Sequence, residues 1–261
     1  MSNTAALLLL AALVPAAGLA SLTETQRAKA ESLPAVTVPA PAEFFGAIDK
    51  VSRPDWAAFY RDPGPTSFPT RPQTAFNLGA LVADGYIAVE AQDGQQVKNT
   101  GKDIVALARA LGVGENVLAR GKSISDFADK NDWFALREEL EATTNEVRRA
   151  MADQRDEALS SLILAGAWMR SLQAGGRAAE LSGEPSAASL LGQKELIAYL
   201  HGQLRDLPEK VRTGPVVERV GNAFASVGEL MTVDGGGAPD LEQAGAIEAA
   251  CAELVTQLGS K

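Results

Sequence analysis

From Gln73 to Leu258 the apolar positions recur every three or four residues, the spacing that keeps them on one face of an α-helix. The first such run, Phe76 to Gln92, is bounded by Pro72 and by the turn pair Asp93-Gly94. Wound at about 100° per residue, it carries Leu78, Leu81, Val82, Tyr86 and Val89 on one broad face and Phe76, Ala83 and Ile87 on another, which predicts a central helix. Further helices are predicted over Gln95 to Leu111, Glu115 to Ala128, Asp132 to Asp153, Asp156 to Gln173, Ser186 to Leu207, Val216 to Val233 and Leu241 to Leu258. The plainest is Asp132 to Asp153, where Trp133, Leu136, Leu140, Val147 and Met151 recur at helical spacing. Asn131 or Asp132 is positioned to cap it.

No run alternates polar and apolar in the two-residue period of a strand, so the reading is all-α. Short links favour antiparallel or orthogonal neighbours in a single multi-helix bundle of about eight to ten helices. No solenoid repeat is present. The expected domain spans residues 43–261, with an aromatic and Pro-rich wrapping segment at 43–72 and core helices over 73–258. Gly183-Glu-Pro-Ser186 and Val233-Asp-Gly-Gly-Gly-Ala-Pro239 are the two best hinges.

The wrapping segment holds Phe44, Phe45, Trp56, Phe59, Tyr60 and Phe68; with Phe76 these are half of the chain's aromatics. Its stretch Asp62-Pro-Gly-Pro-Thr-Ser-Phe-Pro-Thr-Arg-Pro72 is neither helix nor central strand, so the aromatics either fold onto the core or form a sticky surface. Folding onto the core is the expectation. Glycines inside the helical runs (Gly79, Gly85, Gly166, Gly192, Gly202, Gly221 and Gly228) are read as places of close helix approach.

The N-terminus has a different character. Ala5 to Ala20 is an uncharged apolar run ending in small residues and short for a bilayer span, which reads as a signal peptide (1–20) cleaved after Ala20. Residues 21–42, with prolines at 34, 39 and 41, read as an extended tether. Export to the periplasm or the exterior follows, with no integral membrane span after cleavage. The net charge of −9 gives no phosphate counterion release, which argues against a nucleic-acid partner.

Candidate chemistry narrows the picture further. Gly112-Val-Gly-Glu-Asn-Val-Leu-Ala-Arg-Gly-Lys-Ser123 ends like a phosphate loop, but the position that must be glycine is Asn116, and the residues before it read as helix. Gly112 instead reads as a left-handed helix cap. One histidine, His201, excludes multi-histidine zinc sites, and one cysteine, Cys251, in an apolar helical setting reads as a buried thiol. Asp126, Asp129, Asn131 and Asp132 miss the calcium-loop pattern and read as helix capping. No cofactor and no metal are expected, and no catalytic motif is recognised.

The residue that needs explaining is Asp84, in mid-helix on a strip with Asn77 and the small residues Ala80 and Ala88. A buried carboxylate requires a partner, either an arginine such as Arg148 or Arg170, or a ligand. Asn77, Asp84 and Trp168 are therefore the candidate polar or ligand site. Two functions are expected: a non-catalytic exported scaffold or interaction module of the bacterial cell envelope with a protein partner, or a bundle binding a small molecule or peptide in a pocket near Asp84 and the aromatic segment 44–76.

Overall fold

In the computed structural model, residues 41–233 and 237–260 are described. The proposed signal peptide, residues 21–40 of the proposed tether and residues 234–236 of the second hinge lie outside the described residues. The described chain is all-α. In order it forms α1 (Pro41–Ser52), a 3-10 turn (Trp56–Phe59), α2 (Arg71–Glu90), α3 (Gly94–Ala110), α4 (Gly114–Asp129), α5 (Trp133–Asp153), α6 (Glu157–Ser182), α7 (Pro185–Ser189), α8 (Lys194–Arg205), α9 (Glu209–Arg212), α10 (Pro215–Leu230) and α11 (Leu241–Gly259).

The joints from α2 to α6 share one geometry. At each, a residue with positive φ (Gln92 at 53°, Gly112 at 84°, Asn131 at 54°, Arg155 at 58°) is followed by the cap of the next helix. The amides of Asp93, Val113, Asp132 and Asp156 each donate to a carbonyl five residues back, on Ala88, Ala108, Phe127 and Met151, at 2.9–3.0 Å. These are Schellman turns, which satisfy the last carbonyls of one helix while the next begins. Three of the four caps are aspartates whose carboxylates accept from the third residue onward, Gln96, Ala135 or Leu159. The fourth cap, Val113, has no such side chain, and its turn carries glycine as the left-handed residue. The Gly-x-Gly resembling a nucleotide motif is therefore this joint, and Gly121-Lys-Ser123 lies inside α4.

Consecutive helices run back and forth. Lys98 of α3 pairs with Asp129 at the far end of α4, and Arg137 near the start of α5 grips Glu90 at the end of α2 with two bonds of 2.8 Å. Four reversals bring α6 parallel to α2: Arg71 and Asp156, at their starts, lie 3.3 Å apart. These two form the centre, and most of their residues are buried. Their backbones meet where Gly79 faces Ile163 and Ala167, and where Gly166 faces Phe76 and Ala80. A Cβ on either glycine would come within 2.8 Å of backbone atoms of the other helix. Close backbone approach is thus the role of Gly79 and Gly166, while Gly85 makes room for the side chain of Leu140, 3.1 Å from where a Cβ would stand. It is not the role of Gly202, which faces open space, nor of Gly221 and Gly228, whose neighbours stand 3.6 Å or more away; Gly192 lies between helices rather than within one.

Two predicted helices change shape. The run ending at Gln173 continues to Ser182, with Gly175 packed against Phe44 and Gly176 against Ala244 and Glu248; Gly183 then ends it with φ of 66°. The predicted helix over Ser186 to Leu207 is broken after Ser189, and Lys194–Arg205 forms separately. Residues 41 and 42, expected in the tether, begin α1, with proline in the first turn where its missing N–H is harmless. From α1 and the 3-10 turn, Phe44, Phe45, Trp56 and Phe59 enter the core; Phe45 packs edge-on to Trp56 and stacks on Tyr86 of α2.

Candidate functional site

Asp84 projects from the middle of α2 toward α6, flanked one turn away on each side by Ala80 and Ala88, which leave room for long side chains. Arg170, 3% exposed, donates through Nε to Asp84 Oδ1 at 2.8 Å. Its other nitrogens donate to the Phe59 carbonyl at 2.6 Å and to Gln173 Oε1 at 3.2 Å. Arg61 reaches the same carboxylate, with Nε 3.0 Å from Oδ2 and Nη2 on that oxygen too. A single carboxylate therefore sits between two guanidiniums. Burial by itself would raise the Asp84 carboxyl, but Arg61 and Arg170 hold it below its ordinary value. For Arg170 burial works against the charge, and Asp84 opposes that effect.

The elements that hold the cluster are specific. Trp56 and Phe59 are anchored in the core, and Trp56 Nε1 donates to Asp49 Oδ1 at 2.9 Å. This fixes the chain leaving the 3-10 turn, so that the Phe59 carbonyl meets Arg170 while Arg61 meets Asp84. Of the two arginines suggested by sequence, Arg170 is the partner and Arg148 is not. Arg61 was missed because it stands in an aperiodic, proline-rich stretch where no spacing indicates what a side chain meets.

Beside the clamp a cleft of about 340 Å³ opens to solvent between the 60–68 segment, α2 and α3. Arg61 and Asp84 form part of its wall, with Phe68, Leu81, Asn99 and Lys102. Tyr60, at one edge, donates to Asp93 Oδ2 at 3.4 Å, and burial followed by that acid pushes its phenol up. Asp103, also in the wall, has its carboxyl raised by burial, with Lys102 opposing. Behind Arg61 lies a second hollow of about 200 Å³, bounded by Arg170, Gln173, Arg177 and Glu248. The arrangement can receive a polar group against a preformed guanidinium while apolar surface from Phe68 and Leu81 covers the rest of a ligand. Around the cleft, Arg61 and Lys102 offer positive charge, and Asn99 and Gln96 offer amides.

Asn77 lines the inner end of the same cleft but is already occupied. Its amide donates to the Gln73 carbonyl at 2.9 Å and to the Leu258 carbonyl at 2.7 Å, closing the last turn of α11. Asn77→Ala is expected to cost about 1–2 kcal/mol. Amide exchange should report it as faster opening of residues 255–260, with little change in α3 to α5. Trp168, grouped with the pocket by the sequence reading, is separated from it. It is wholly buried against Phe44, ring centroids 5.8 Å apart, and its Nε1 has no acceptor among the described residues.

The remaining candidates take structural positions. His201 is half-buried on α8, its imidazole pushed down by burial and by Arg205. Cys251 is fully buried with its Sγ 3.7 Å from Met169 Sδ, and burial pushes the thiol up, which keeps it protonated and unreactive. Asp132 caps α5, Asn131 takes the left-handed position and Asp129 pairs with Lys98. No family model, no curated protein and no solved structure is significantly similar to this chain.

Proposed function

We propose that this protein is a non-catalytic, exported binding module whose ligand, a small polar molecule or the end of a peptide, occupies the cleft beside Asp84. The observation that carries this reading is the cleft itself: about 340 Å³, walled in part by the Arg61–Asp84 pair and in part by the apolar side chains of Phe68 and Leu81. That volume lies at the small end of the range of ligand sites. Arg61 is held in place by Asp84 but remains 30% exposed, so it meets a ligand without first losing rotamer freedom. Export rests on the apolar sequence of residues 5–20.

The test is mass spectrometry of small molecules released from natively purified full-length protein, beside the variant Asn99→Trp. Asn99 is exposed at the cleft wall and, among the described residues, its side chain hydrogen-bonds only to Gln95, so an indole there is expected to fill the cleft without disturbing the core. A compound released by the wild type and lost from Asn99→Trp, with Tm within about 2 °C, is the expected result. Release of nothing from either protein would remove the support for this reading.

The second reading is a scaffold or interaction module of the cell envelope with a protein partner. It is supported by the packed interior, in which one continuous apolar cluster runs from Phe44 to Leu258 and leaves the cleft shallow. Crosslinking in intact envelopes, with a defined partner captured equally by Asn99→Trp, is the outcome that favours it.

A further inference from the structure

A third feature stands apart from the Asp84 cleft. Where α5, α6 and α8 meet, a hollow of about 150 Å³ is lined by Arg148, Ser160, Ser161, Tyr199 and Gln203. Arg148 carries a positive charge into this hollow, and among the described residues its buried Nε has no acceptor. The one fully buried guanidinium among the described residues, Arg170, is by contrast matched by Asp84, the Phe59 carbonyl and Gln173. Burial lowers the Arg148 guanidinium's affinity for its proton, and no carboxylate among the described residues pairs with it. Glu157 reaches the rim but is exposed and makes no ion pair with it.

A half-buried arginine with an unused donor is an unfavourable arrangement unless an acceptor arrives. The polar side chains around it also have protons to donate, and none of them accepts from the Arg148 Nε. Ser160 and Ser161 present hydroxyls from the first turns of α6, Tyr199 a phenol and Gln203 an amide from α8. What they lack in common is a compact acceptor with several oxygens and negative charge. A tetrahedral oxyanion offers this, because two oxygens can accept the guanidinium fork while the others take hydroxyls. We infer that the hollow between α5, α6 and α8 is a binding site for a phosphate group, either free inorganic phosphate or the phosphate of a monoester.

Inorganic phosphate titrated calorimetrically into the full-length protein, in buffer matched for chloride and ionic strength, tests this. Saturable binding in or below the millimolar range is expected, with a rise in Tm that tracks occupancy. Arg148→Gln should weaken it at least about tenfold. Because Arg148 makes no hydrogen bond or ion pair among the described residues, that variant should unfold at or above the wild-type denaturant midpoint in the absence of phosphate. Ser161→Ala should weaken binding by a smaller factor, and Arg149→Gln, at an exposed position next door, should leave it unchanged. Methyl phosphate separates the sources: retained affinity supports a monoester site, and its loss supports free phosphate. No saturation by about 10 mM phosphate, or indistinguishable titrations of wild type and Arg148→Gln, would overturn the inference.

Discussion

Asp84→Ala is expected to lower the unfolding free energy by about 3–5 kcal/mol, seen as a fall in the urea midpoint. The loss comes less from the missing attraction than from what remains. Arg170, 3% exposed, keeps its charge and has only the Phe59 carbonyl and Gln173 to solvate it. Arg61→Gln should cost much less, about 1 kcal/mol, because Arg61 is 30% exposed and Arg170 still neutralises the carboxylate. Replacing both members, Asp84→Leu with Arg170→Met, should recover part of the stability lost in Asp84→Leu alone, as apolar substitutes for a buried pair often do. The pH dependence has a definite sign. The carboxyl is held below its ordinary value of 3.8, so the ion pairs contribute fully above that pH and are lost as pH falls through the lowered value. Wild type should therefore lose stability relative to Asp84→Ala on acidification below about pH 4, and an equal acid slope in both would remove the clamp as a source of stability. A wild-type urea midpoint for Asp84→Ala would refute the structural role directly.

Gly166→Ala is expected to destabilise by about 3 kcal/mol or more, although alanine is the better helix former. The added methyl would overlap the Phe76 carbonyl oxygen and lie 2.8 Å from its carbon, and backbone cannot move aside as a side-chain tip can. To accommodate it, α6 must withdraw from α2, loosening the seam that also holds Arg170 against Asp84. Gly202→Ala is the internal comparison. Its methyl meets nothing within 4 Å, so the gain in helix propensity should appear unopposed, about 0.5–1 kcal/mol more stable. If both substitutions stabilise, the close α2–α6 approach is not real.

The legible parts of the fold were those governed by local chemistry. Asp132 announced a helix start, and there, as at Asp93, Asp156 and Asp240, the carboxylate accepts an amide three residues on. Apolar spacing located the helical runs, and Gly112, read as a left-handed cap, has φ of 84°. The predicted run over Ser186 to Leu207 failed because its periodicity passes through Leu190 to Gln193, where Leu191 is buried by turning the chain rather than by continuing a helix. Gly202 and Gly221 were misread because an interior glycine looks alike in sequence whether or not another backbone presses on it.

At the candidate site the division is sharper. That Asp84 is anomalous follows from sequence alone, since a carboxylate on a mostly apolar helix must find a partner. Arg170 was among the residues proposed for that role, whereas Arg61, the cleft beside it and the unmatched Arg148 were not readable. Each depends on elements distant in the chain meeting in space. The sequence by itself determined the helical class, the ends of many helices and the need for a counter-charge, because these depend on neighbours within a few residues. The tertiary structure alone decided that α2 and α6 run parallel in glycine-to-backbone contact, which arginines close on Asp84 and where surface hollows remain, because those outcomes follow from packing whole helices whose mutual registry no local spacing encodes.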